Sequence, residues 1–283
     1  PFVLKSITAK SSIEMAKNDA YWDKDAVKIQ NIKFTYWDGK DQDVVAKGFS
    51  EGQYSKARIY PTSSTYEKYA SEFKDNIFFN EPGSAIATVS VNYGRTTYNH
   101  TSKTTDSQKE STRKALLNKE FRQALNFAVD RNSYSAQTNG TDGAAVAIRN
   151  TFSPYDLQVG DKQFGKLVEE SLAKTNSSTW SNVSLADSQN GLYNEEKAKA
   201  AFAKAKESLK AEGVEFPIHL DALTIQESTA VVNRVQSLKQ SIENVLGADN
   251  VVIDLQQMTQ AEALPLSFSA PTAKEQDWDC LLY

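Results

Sequence analysis

Residues 218–255 carry the pattern that most restricts the architecture. Ile218, Leu220 and Ala222 alternate as in a strand, and Val231, Val235, Leu238, Ile242 and Val245 recur every three to four residues, as on one helix face. After Gly247, Val251–Leu255 read as a second strand. This succession is a β-α-β unit, which implies parallel strands joined by a right-handed crossover. The fold class is therefore α/β. Ligand crevices in such folds open beyond the carboxyl ends of parallel strands. That makes Leu223–Ser228, where a strand hands over to a helix N-terminus, a candidate for polar ligand contacts; a plain helix cap is the alternative.

The rest of the chain is read in the same way. In the first third, Phe2–Leu4, the run Val27, Ile29, Ile32, Phe34, Tyr36, and Ile86, Val89, Val91 predict strands, separated by turns such as Asp38-Gly39 and Pro82-Gly83. Tyr66, Tyr69, Ala70 and Phe73 have the spacing of a short amphipathic helix. Tyr93–Ser111 is rich in Thr, Ser, Asn, Lys and Asp and predicts a loop or mobile insertion. Asn118 can cap a helix that carries Phe121, Ala124, Leu125 and Ala128 on one face and ends near Arg131. Residues 139–160 and 175–192 predict irregular chain. Asn194 precedes a helix bearing Ala198, Phe202, Ala205 and Leu209, with Gly213 as a left-handed cap and a solvated face of Glu and Lys. No internal repeat is visible.

Composition narrows the function classes. The 283 residues suffice for one large domain or two modest ones, and 40% hydrophobic, 24% charged residues and a net charge of −4 are ordinary for a globular protein. No basic stripe exists to neutralise phosphates, which argues against nucleic acid. Apolar runs are strand-sized, too short to cross a bilayer. The start at Pro1-Phe2-Val3-Leu4 lacks an initiator Met and a signal peptide, and reads as mid-protein. A single cysteine, Cys280, excludes an internal disulfide or a multi-Cys metal site, and no neighbouring His or Lys activates it. The glycosylation-like triplets at Asn99, Asn139, Asn176 and Asn182 are the chance matches of an Asn-, Ser- and Thr-rich chain.

No Gly-rich phosphate loop, His-Glu-x-x-His, G-x-S-x-G or Cys pair is present. His219 points opposite Ile218 and Leu220 and reads as a half-exposed structural histidine, while His100 lies in the polar segment. Asp38, Asp41 and Asp43 do not follow the order of a calcium loop and read as a solvated turn. What remains is a mixed α/β protein with many aromatics and no catalytic group, a profile that suits a binding protein with neither cofactor nor metal.

Several blocks carry a family resemblance. Pro1-Phe2-Val3-Leu4, Lys17–Trp22, Val27-Lys28-Ile29, Phe49–Pro61, Phe121–Arg131, Gly191–Asn194 and Gln276–Asp279 follow one another in the order seen in the family 5 extracellular solute-binding proteins. Within that family the chain most resembles the streptococcal oligopeptide-binding lipoproteins of the Ami/Ali type, and the R-Q-A-x-x-x-A-x-D-R run at 122–131 is the specific signature.

The resemblance implies a periplasmic-binding-protein-like, two-lobed fold of class II (cluster C) type, here incomplete. Residues 1–93 would form part of lobe I, including a hinge crossover strand at Ile86–Asn92, and 94–283 lobe II, truncated at its C-terminus. The family's first lobe I segment is missing. So is the G-W-x-x-D-Y-x-D-P block beyond Asp279, with the acidic residue that anchors a peptide N-terminus.

The implied function is capture of oligopeptides for the permease subunits of an ABC importer. The implied protein is a monomer on the surface of a Gram-positive bacterium, anchored by an N-terminal lipid absent from this fragment. Position along the motifs places Arg58, Ser84, Ile86 and Thr88 on the lobe I side of the cleft, and Arg149, Thr224, Gln226, Ser228 and Met258 on the lobe II side, with Arg149 as a carboxylate partner. The alternatives are a peptidase or glycosidase fragment whose catalytic residues lie elsewhere, and a surface adhesin or peptide-signal receptor reusing the lobes.

Overall fold

The computed structural model describes residues 1–39, 41, 43–78 and 86–282. They divide into two compact units, Pro1–Ile59 with Ser63–Thr65, and Tyr60–Thr62 with Tyr66–Tyr283.

In the first unit, β1 (Phe2–Thr8), β2 (Ser12–Lys17) and β3 (Asn31–Thr35) form an antiparallel sheet in that order. A bulge between Leu4 and Ser6 shifts the register, so that Leu4 pairs with Met15 and Ile7 with Ile13, which in turn pairs with Phe34. Strand alternation then gathers Leu4, Ile7, Ile13, Met15, Ile32 and Phe34 on one face. The other face is mostly polar, with Val3 and Ala16 as its apolar members, and carries the Lys33–Glu14 ion pair. Much of the apolar face is open to solvent, with Leu4 55%, Ile7 64% and Phe34 56% exposed.

The predicted strand at 27–36 shortens to β3. β2 and helix α1 (Asp43–Ser50) are additions to the predicted elements. Asp43 accepts hydrogen bonds from Ser64 and Thr65, so the Asp-rich turn is closed by hydroxyls.

The second unit is built on a mixed sheet of order β4-β9-β7-β8, where β4 is Val89–Val91, β7 Ile218–Ile225, β8 Val251–Met258 and β9 Cys280–Leu282. β7 and β8 are parallel over eight register pairs, from Ile218↔Val251 to Ile225↔Met258, and the crossover between them is α9 (Thr229–Leu246), as the sequence pattern requires. β9 is parallel to β7 and antiparallel to β4.

Helices α2 (Tyr66–Glu72), α3 (Asp106–Leu117), α4 (Lys119–Ala128), α5 (Arg131–Gly143), α6 (Phe164–Thr175), α7 (Ser177–Trp180), α8 (Glu195–Ala211) and α10 (Gln260–Ala263), with the small hairpin β5 (Gln158–Val159) and β6 (Lys162–Gln163), complete the unit. Phe121 of α4 packs on Phe202 of α8 with ring centroids 6.3 Å apart, and Phe202 on Phe216 at 6.2 Å. Around them Leu116, Phe127, Leu209, Ile218, Leu220, Val235, Leu238 and Ile253 are buried in one core.

Local chemistry sets the helix ends. Asn118 accepts from Phe121 N and Asn194 from Lys197 N, the two predicted caps. Gly213 follows α8 at φ +76. α4 stops at Ala128, three residues before Arg131, because the Asp130 carboxylate caps the next helix by accepting from the amides of Asn132 and Ser133. α5 runs to Gly143, into the stretch expected to be irregular, and kinks at Gly140 (φ 65, ψ 174), a backbone region open essentially to glycine.

The loop expected over 93–111 ends at Thr105, where a reciprocal capping box with Gln108 starts α3. The stretch 175–192 holds the short α7, capped by Asn176. Within the family-like signature, Arg122 donates to the carbonyls of Leu116 and Leu117, and Arg131 to those of Asn126 and Val129. Burial lowers the Arg131 guanidinium to about 10. These arginines tie off helix ends.

Candidate ligand-binding face

The carboxyl ends of β7 and β8 meet at the Ile225↔Met258 pair, and Gln226 N donates to Met258 O at 2.9 Å. Beyond them, Glu227 accepts from Gln260 N at the start of α10. The two strands thus end level, with Gln226 and Glu227 exposed at the rim.

Thr224, Gln226, Ser228 and Met258 are brought together here, yet they differ in what they can offer. Thr224 is fully buried and its hydroxyl donates to Ala222 O. Met258 packs with Leu223, Ala263, Trp278 and Leu281. Ser228 accepts from Val231 N, so the helix-cap alternative holds for this hydroxyl. Gln226 is the one of the four whose side chain is exposed.

The other candidates lie apart from this edge. Ile86 and Thr88, half-buried, lead into β4. Ser84 falls outside the described residues, as does the Pro82-Gly83 turn. Arg58 is exposed on the first unit. Arg149 already has a carboxylate: Asp187 Oδ2 stands 2.9 Å from Nη1 and also accepts from Tyr155 N. An incoming carboxylate would compete with Asp187.

Behind the edge lies a buried ionic cluster that sequence reasoning missed. From the segment 93–105, Arg95 and Lys103 reach Asp221 on β7, and Asp277 and Asp279 at the entry to β9. Arg95 Nη1 is 2.6 Å from Asp221 Oδ2 and 2.9 Å from Asp279 Oδ2, and its Nη2 is 2.8 Å from Asp277 Oδ1. Lys103 Nζ is 2.7 Å from Asp221 Oδ2 and 2.5 Å from Asp279 Oδ2. All five side chains are at most 2% exposed.

Asp221 also accepts from Thr101 Oγ1, from the amide and hydroxyl of Ser102, and from Gln256 Nε2. Asp277 Oδ2 accepts the amides of Asn99 and His100 and faces His100 Nδ1 at 2.9 Å. Burial would raise the Asp221 pKa, but Lys103 and these donors hold it well below the carboxylate range. Burial likewise opposes the Arg95 charge, and the carboxylates of Asp279, Asp277 and Asp221 outweigh it and raise its pKa.

The segment expected to be a mobile insertion is therefore a strap pinned by ions. A signal for it existed: 93–105 contains two permanent cations and no carboxylate, and β7, covered on both faces, places Asp221 inside.

His219 Nδ1 stands 2.8 Å from Asp254 Oδ2 on β8, a structural pairing. Cys280 is buried in β9, and burial raises its thiol pKa far above the ordinary range. Two buried donors next to Asp279, Asn92 Nδ2 and Trp278 Nε1, have no acceptor among the described residues. Among the described residues no group of three His, Cys, Asp or Glu is placed to hold a metal, and no helix is long and apolar enough to cross a membrane.

The fold is that of solute-binding proteins. Over 100% of this chain it superposes on 45% of Listeria monocytogenes OppA bound to peptide, with a TM-score of 0.57 and 19% identity. For the substrate-binding domain of an oligopeptide ABC transporter from Bacillus anthracis the values are 100%, 44%, 0.56 and 17%.

The chain belongs to the bacterial extracellular solute-binding proteins, family 5 (middle), whose family model matches residues 1–282. It is 55% identical over 280 residues to the oligopeptide-binding protein AmiA of Streptococcus pneumoniae, covering 99% of this chain and 42% of AmiA. With the oligopeptide-binding protein SarA of Streptococcus gordonii it shares 54% identity, again over 99% of this chain and 42% of the relative. The chain thus spans less than half the length of these relatives, both of them named as oligopeptide-binding proteins.

Proposed function

We propose that the chain is the central part of an ABC importer's substrate-binding component, which captures oligopeptides between two lobes and hands them to a membrane permease. The observation that carries this reading is the 55% identity, over 99% of the chain, to a protein named for oligopeptide binding. Residues 1–93 contribute to lobe I and 94–283 to lobe II, with Ile86–Asn92 as a crossover between them. Closure is a rigid-body rotation about such crossovers.

An extended peptide presents main-chain amides and carbonyls whatever its sequence, and recognition of that backbone leaves side chains to roomy, hydrated pockets. Arg58, Ser84, Ile86 and Thr88 form the lobe I wall. On lobe II, Gln226 is the direct contact, while Thr224, Ser228 and Met258 shape the edge behind it. Asn92 Nδ2 and Trp278 Nε1 have no acceptor among the described residues, and main-chain carbonyls can supply one. Arg149 takes a peptide carboxylate by exchange with Asp187. The parent protein is a monomer held at the outer surface of a Gram-positive cell by an N-terminal lipid.

Native mass spectrometry of the full-length parent tests the reading, with co-purifying peptides as the expected result. Incubation with a peptide mixture should return every peptide intact. Cleavage products would sink the transport reading in favour of a peptidase.

A further inference from the structure

We infer that Arg95 and Lys103 are positioning residues that set the place of β9 against β7 and, through β9, the place of β4. The functional consequence rests on the peptide-capture reading, because β4 belongs to the proposed crossover. The geometric claim does not.

Backbone pairing alone holds β9 weakly to β7. Among the described residues their ladder has one register pair, Ala222↔Cys280, supported by Asp279 N donating to Asp221 O at 3.0 Å, whereas β7 and β8 share eight pairs. So short a ladder specifies register poorly. β4 in turn pairs with β9, through Val89↔Leu282, Ser90↔Leu281 and Val91↔Cys280, and Asn92 N donates to Asp279 O.

At the β7–β9 junction two carboxylates, Asp221 and Asp279, lie side by side on neighbouring strands, both out of water. Like charges opposed across strands repel, and burial strengthens the repulsion. The sign reverses because Lys103 Nζ and Arg95 Nη1 each touch Oδ2 of both carboxylates. A slip of β9 by one residue would turn Asp279 to the other face and leave two buried cations facing Asp221 alone. A slip by two would drag Asp277 from the Asn99 and His100 amides. The cluster therefore admits one register.

Stability is a poor account of this arrangement, since well-packed apolar residues of similar volume commonly serve a core as well as a buried ion network does. The strap also leaves directly from β4, so the cations that place β9 are tethered to the strand that β9 places.

The test uses the full-length parent and the pair Lys103→Met with Asp279→Asn, which removes one charge of each sign. Lys103→Met alone should lower the denaturation midpoint, and the double variant should recover most of that loss. In the double variant, amide exchange at Ser90, Val91, Asn92 and Leu281 is expected to rise about ten-fold or more, while β8 amides keep their parental rates. Affinity for a defined mixture of synthetic pentapeptides is expected to fall about ten-fold.

Parental exchange rates in β4 and β9 would overturn the inference, as would an equal rise in β8, the mark of general loosening. Should the double variant not fold, Lys103→Gln, which removes the charge but keeps a donor, is read at the same amides with the same outcomes. A parent that binds none of the peptides defeats the capture reading alone, because amide exchange still decides the positioning claim.

Discussion

Lys103 is an ammonium with no solvent contact, held by two carboxylates. Removing it as Lys103→Met leaves Asp221 and Asp279 with one shared cation, and the expected loss is about 3–5 kcal/mol, read from urea denaturation. Acid should act on the same site. The folded-state pKa of Asp221 lies below its ordinary value of 3.8, so its stabilisation is complete above that value and is lost as pH falls toward the folded-state pKa. A denaturation series from about pH 5 to about pH 2 should therefore show a steep decline, part of which disappears in Asp221→Asn.

Little of this was legible residue by residue. Arg149, read as a carboxylate partner, stands beside Asp187 of its own chain, a pairing that lies 38 positions away and leaves no local pattern; Arg95 and Lys103 lie in a segment whose composition looks like solvent-exposed chain. Composition reports how polar a stretch is, but not that its charges are matched by carboxylates 118 to 182 positions away.

At the scale of elements the sequence was more informative, because period and capping act locally. The β-α-β unit, α4 and α8 follow from apolar spacing, and their caps from single asparagines. Asn194→Ala, which deprives Lys197 N of its acceptor, should cost about 1 kcal/mol of unfolding free energy. Gly140→Ala should cost more, since the added Cβ would stand 2.3 Å from Pro61 Cβ at a backbone angle that L-residues avoid. Both are measured by the same thermal or urea unfolding. β9 escaped because its partners are distant in sequence: it lies between β4 and β7, a neighbourhood that three residues of alternation cannot announce.

For the whole molecule, the two units contrast. The second buries its aromatic and aliphatic residues in one core, whereas the first turns Leu4, Ile7, Ile13 and Phe34 outward on a single sheet face. The relatives are more than twice as long as this chain, so sequence outside it is available to cover that face. Taken alone at micromolar concentration, the 283-residue chain should self-associate through this face. Light scattering should show association that falls when Ile7 and Phe34 are both replaced by Lys, with the helical signal of the second unit unchanged. Association unaltered by the pair would place the contact elsewhere.

Cys280 offers a way to watch the sheet at work. It is the chain's only thiol, lies in β9 and is kept protonated by burial, so alkylating reagents can reach it only when that strand lifts away. Its labelling rate is a built-in clock for opening at the centre of the second unit, readable without adding a probe.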